Sequence, residues 1–230
     1  MEKLTSYEMI NAILVEKSSM KQDIYYNTLE IFKDFKKEIK KIVDQLNEDA
    51  SKKDSRLIIE FAVRGEFEVE LKFAGDILIF YMHTNVFKFN ADHEISKTNY
   101  VKEDVRRRYC GIISVYNFLA DSFKYNRAND LGYMIARIFL NNENHYAMEG
   151  KGQLENLYVD YEKAVIDQAS IKAIIESCML YSLEFDLLTP PYEAVQEVSV
   201  HQIKEATNHA MLKTGKRMGF VFKADVDNVE

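Results

Sequence analysis

Residues 67–73 alternate apolar and charged side chains at every step: Phe67, Glu68, Val69, Glu70, Leu71, Lys72, Phe73. A period of two puts the four apolar residues on one face of an extended chain and the three charged ones on the other. No helix can bury that pattern, so the chain must contain a sheet with one greasy side and one wet side. The flanking residues extend the sheet. Residues 57–63 are rich in β-branched and aromatic side chains, and Gly65 marks a turn. Gly75-Asp76 marks another, residues 77–82 form a third strand, and residues 86–89 continue it or add a fourth. Turns this short predict an antiparallel meander.

A different period precedes the strands. Ile24, Ile31, Phe35, Ile39, Ile42 and Leu46 recur at three, four and seven residues, which makes one stripe on a long helix. Residues 5–16 predict a shorter helix, with Ser18-Ser19 as the break and N-cap. Past the strands, residues 90–104 are polar and mixed. Residues 109–118 predict a strand, with a helix through Phe123 as the rival. Residues 132–140 and 145–149 predict a hairpin around an Asn-rich turn, because Asn tolerates the left-handed backbone, with a helix through residues 134–137 as the rival. The helical period returns over residues 158–188 and ends at Pro190-Pro191, the only prolines. A further helix starts at Ser199, capped with Gln202, and reaches about Lys213; residues 220–222 are a short final strand.

Helix, then strands, then helices is the order of an α+β fold, not of alternating α/β units. The expected architecture is an antiparallel sheet meander with a long N-terminal helix and C-terminal helices packed on one face. Residues 1–50 form the helical segment, 51–223 the α+β domain, and 224–230 a frayed acidic tail. The two cysteines, Cys110 and Cys178, sit in apolar runs and read as buried thiols. No stretch has the composition of a signal peptide or a membrane span, so the expectation is a cytoplasmic protein with no membrane partner. The net charge is −7, and residues 154–205, with ten acidic and three basic side chains, account for all of it.

Phosphate-loop, dinucleotide, nucleophile-elbow and zinc-protease motifs are all absent from the sequence. The sharpest chemical pattern is Glu70-Leu71-Lys72. Residues i and i+2 of a strand point to one spot, where a carboxylate can hold a divalent metal and a lysine can position water. The triplet resembles the ExK half of the PD-(D/E)xK nuclease signature. That resemblance implies a metal-dependent nuclease with Asp54 as the upstream acid and Glu30 or Glu38 as a helix-borne glutamate. Asp54 follows Lys53 where that family has proline. The bland alternative makes the triplet the wet face of a strand with cross-strand ion pairs.

Two further patterns stand out. Glu197, His201, Glu205 and His209 are spaced four apart, but a Ser199 cap puts Glu197 outside the predicted helix, so His201, Glu205 and His209 are candidate metal ligands, against a solvated face of ion pairs. Lys37 and Lys40 on the long helix, with Arg106 and Arg108 beside an aromatic strand, are candidate nucleic-acid contacts. Acidic residues are interleaved with them, as on an ordinary solvated surface. No set of residues assembles for catalysis, whereas apolar helix faces are large. The leading expectation is therefore a non-enzymatic protein-binding or regulatory protein that acts as a homodimer without a cofactor. A nuclease, with divalent metal, and a non-catalytic nucleic-acid binder are the alternatives.

Overall fold

The computed structural model describes residues 5–151, 154, 160–201 and 203. A helix opens the chain. Thr5 caps α1 (Ser6–Ile13) through a capping box, its hydroxyl accepting from the Glu8 N–H while the Glu8 carboxylate accepts from the Thr5 N–H. A π-helical turn, Leu14–Ser18, leads straight into α2 (Ser19–Ser51). The expected break at Ser18-Ser19 does not form. Both residues keep helical dihedrals and Ser18 makes no side-chain cap. With no glycine or proline nearby, the π turn absorbs the mismatch in phase without ending the helix.

The α2 stripe is buried as expected at Ile24, Ile31, Phe35, Ile39 and Ile42, and is widened by Phe32 and Val43; Leu46, at its end, is exposed. It packs on a sheet whose strands are all antiparallel, in the order β1 (Glu60–Val63), β2 (Glu68–Phe73), β3 (Asp76–Met82), β5 (Tyr109–Leu119), β6 (Tyr133–Leu140), β7 (Tyr146–Gly150). The short β4 (Phe87–Lys88) pairs with the start of β5, beyond the end of β3. The helix-side face of the sheet supplies Val69, Leu71, Phe73, Leu78, Phe80, Ile113, Val115 and Ile138 to the main core. Phe35 meets Phe80 there, ring centroids 6.1 Å apart.

The strand expected over residues 109–118 forms as β5, which runs to Leu119; helix begins only after it, as α5 (Ala120–Lys124). The Asn-rich turn forms the β6–β7 hairpin, with Asn144 in the left-handed region and the Asn141 carboxamide oxygen accepting from the Glu143 and His145 N–H groups.

The C-terminal helix is shorter than its period suggested. α6 (Gln168–Leu183) starts where Asp167 accepts from the Ser170 N–H, and it packs beside α2. It ends at Glu184, well before the prolines; Pro191 instead precedes α7 (Tyr192–Val195). Residues 90–104, read as polar and mixed, carry two short helices, α3 (Glu94–Lys97) and α4 (Asn99–Glu103). They cover one end of the opposite sheet face through Phe89, Tyr100, Val101, Cys110, Phe139 and Tyr161. Beyond Ser199, Val200, His201 and Ile203 are helical, and Ile203 N–H donates to Ser199 C=O. The Gln202 cap, the rest of that helix, the final strand and the acidic tail lie outside the described residues. Among the described residues, no helix is long and apolar enough to cross a membrane.

Candidate functional site

The wet side of β2 is where the alternation placed it. Glu70 and Lys72 point to the sheet face away from α2, and both line a shallow cleft of about 280 Å³ with Glu60, Arg64, Ile77 and Phe123. In register, Glu60 stands opposite Lys72, and Ala62 opposite Glu70. Lys72 pairs with Glu60, and Arg64 Nε donates to Glu70 at 2.9 Å. The four charges thus cancel across the β1–β2 hairpin, as cross-strand neighbours on one face do.

The other acids of the nuclease pattern do not join them. Asp54, in the α2–β1 connection, is gripped by Arg56, whose guanidinium hydrogen bonds hold the Asp54 carboxyl below its usual range. Asp54 does not line the cleft. Glu38 lies on α2 itself, on the helix-covered side of the sheet, where it accepts from Gln168 of α6 at 3.0 Å and from Lys41 at 2.9 Å. Those hydrogen bonds, Gln168 first, hold its carboxyl below the usual range against burial. Glu30 pairs with Lys33. Among the described residues, no three His, Cys, Asp or Glu side chains are grouped to hold a metal ion. His201 is exposed, and Glu205 and His209 lie outside the described residues.

Three of the four basic candidates are locally engaged. Lys37 pairs with Asp34 at 2.7 Å beside a groove of about 390 Å³ between α2 and the start of α6, and Lys40 is exposed. Arg106 forks onto Asp104, and Arg108 donates to the Phe89 carbonyl at 2.7 Å. Sequence reasoning passed over Arg107, which has the densest contacts. Its guanidinium lies 4.0 Å over the Tyr100 ring and donates to Glu143 and to the Tyr100 carbonyl. The Tyr100 hydroxyl donates to Glu143 and accepts from Asn141, while His145 stacks on the same ring at 4.4 Å. Burial, helped by Glu143, pushes the Tyr100 hydroxyl up to about 12. A neutral phenol with both roles satisfied fastens the β6–β7 turn to the loop before β5; it is a clasp, not an acid or base. The separate patterns, an Asn-rich turn and an arginine run, gave no hint that they meet.

The N-terminal helix presents an apolar surface that the core does not use. No residue from Ser6 to Ser18 is buried, although Tyr7 (78% exposed), Met9, Ile10 (56%), Ile13, Leu14 (57%) and Val15 are all apolar. Met9, Ile13, Ile10, Leu14 and Tyr7 fall within one half of the helical circumference. The arm therefore extends past the sheet with an open apolar face.

No protein-family model, curated protein or solved structure matches this chain. In the cleft, Glu70 and Lys72 each have an ion-pair partner and Lys124 adds a further cation, whereas the arm has an apolar face without cover among the described residues.

Proposed function

We propose that this is a non-enzymatic, protein-binding protein of regulatory type that acts as a homodimer and docks other proteins on its N-terminal helical arm. The arm carries the reading. A capped helix with six exposed large apolar side chains costs free energy in water and contributes nothing to its own core, so it is built for another surface. The ion pairs that hold Glu70 to Arg64 and Lys72 to Glu60, and the distance of Asp54 from the cleft lining, speak against the nuclease alternative. The local pairing of Lys37, Arg106 and Arg108 speaks against nucleic-acid binding, which relies on free cationic groups.

Two measurements test this. Gel filtration with light scattering is expected to give the mass of two chains; the mass of one chain at every accessible concentration removes the homodimer. A photoreactive residue in place of Ile10 or Leu14, activated in the native host, is expected to give discrete adducts with other proteins. Adducts confined to this chain's own body remove the docking role.

A further inference from the structure

The sheet ends at β1, and among the described residues no strand lies on its outer side. The β1–β2 register pairs Glu60 with Lys72 and Ala62 with Glu70, and the Arg64 N–H donates to the Glu68 carbonyl. Residues 60, 62 and 64 therefore turn their backbone groups inward to β2. Ile59, Phe61 and Val63 turn theirs outward. Asn47 of α2 corroborates this at Ile59. Its carboxamide donates to the Ile59 carbonyl at 2.7 Å and accepts from the Ile59 N–H at 3.0 Å, taking the place of a neighbouring strand. The cover stops there. Among the described residues, nothing pairs with the outward N–H and C=O groups of Phe61 and Val63.

Natural sheets blunt such edges with lysine, proline, bulges or an overlying element. Residues 57–63 contain neither lysine nor proline, and their only charge, Glu60, is held by Lys72. Leu57, Ile58 (64% exposed) and Val63 (50%) are open apolar side chains in or just before this edge strand. The strand and the residue after it read Glu60, Phe61, Ala62, Val63, Arg64.

A strand laid antiparallel on that edge should offer a basic residue opposite Glu60, apolar residues opposite Phe61 and Val63, a small one opposite Ala62 and an acid opposite Arg64. Read from its N-terminus, that is acidic, apolar, small, apolar, basic, which is the sequence of β1 itself. We infer that β1 is the dimer interface: two copies pair antiparallel through residues 60–64 about a two-fold axis at Ala62, joining their sheets into one. This rests on the homodimer reading and supplies its surface.

In this register Phe61 of each copy faces Val63 of the other and exchanges both backbone hydrogen bonds with it. This uses the groups that point outward. Ala62 meets Ala62 of the second copy as the closer, non-hydrogen-bonded pair. Arg64 faces Glu60 of the second copy, so the charges alternate across the axis: Glu70, Arg64, then Glu60 and Lys72 of the second copy. The contact is isologous and closes on itself, giving a dimer rather than a filament.

The test uses the full chain. Ala62→Cys is expected to form an intermolecular disulfide under mild oxidation, since Cys110 and Cys178 are buried. Glu60→Arg and Arg64→Glu are each expected to be monomeric at concentrations where the wild type is dimeric. An equimolar mixture of the two should recover the dimer mass, because only the mixed pair restores both opposite-charge contacts. Val63→Pro, which removes an N–H that only the second copy uses, should give a folded monomer by circular dichroism. A wild-type dimer that survives Val63→Pro and gives no Ala62→Cys disulfide overturns this interface and leaves the homodimer reading standing. A wild type that is monomeric throughout overturns both. A monomer with exchange-protected Phe61 and Val63 amides shows that the chain covers its own edge, and also overturns the inference.

Discussion

At Gly111, early in β5, the long helix and the sheet approach so closely that a methyl group would fall on the Thr28 side chain. Thr28 is fully buried and its hydroxyl donates to the Ile24 carbonyl at 2.7 Å, so it cannot swing aside freely. Gly111→Ala is expected to destabilise the fold by about 1–3 kcal/mol through overpacking. Adding Thr28→Ala should return part of that loss, since it clears the space. Denaturant midpoints of the two single variants and the double variant check it; additive losses would mean that the two residues do not share the space. Neither residue stood out in the sequence. A glycine inside a strand pattern signals a close approach, but only the packed structure names what approaches.

Among the elements, the arm and the core differ in what they depend on. The α2 stripe was legible because Ile24, Phe35 and Ile39 repeat on the helical period, and the sheet because residues 67–73 alternate. The arm was legible as a helix but not as an unburied one, since amphipathicity looks the same whether or not a helix has found its cover. Deleting residues 1–17 is expected to change the unfolding free energy by no more than about 0.5 kcal/mol, because no side chain of the described segment packs on the core. Thermal and denaturant unfolding of the truncated chain measure this. A drop of several kcal/mol would place the arm within the folding unit and against the docking role. The short α3 and α4 were missed because their apolar residues, Tyr100 and Val101 among them, are too few to show a period. The boundaries of α6 were missed because Asp167 and the residues before it use local hydrogen bonds that a periodicity cannot register.

Over the whole molecule, buried acids with high pKa values set the alkaline limit. Burial pushes the Cys110 and Cys178 thiols and the Tyr100 hydroxyl up to about 12, and Tyr161 further still. In the unfolded chain these groups ionise near about 8.5 for Cys and about 10 for Tyr. The native state therefore holds more protons in that window. Its stability is complete below about pH 8.5 and is lost as the pH rises toward about 12. Denaturant midpoints at pH 8, 10 and 11 should fall in that order, with phenolate absorbance from the buried tyrosines appearing only on unfolding. Equal midpoints at all three would show that these groups ionise in place. The sequence by itself determined the fold class, the strand and helix periods, the antiparallel order and the Asn-rich turn, because each of these follows from neighbours within a few residues. Only the tertiary structure decided that Glu70 and Lys72 pair with Arg64 and Glu60, that Arg107 clasps Tyr100 to Glu143, and that β1 and the arm have no cover among the described residues. Those outcomes depend on which distant surfaces meet, and burial and charge pairing are settled only when they do.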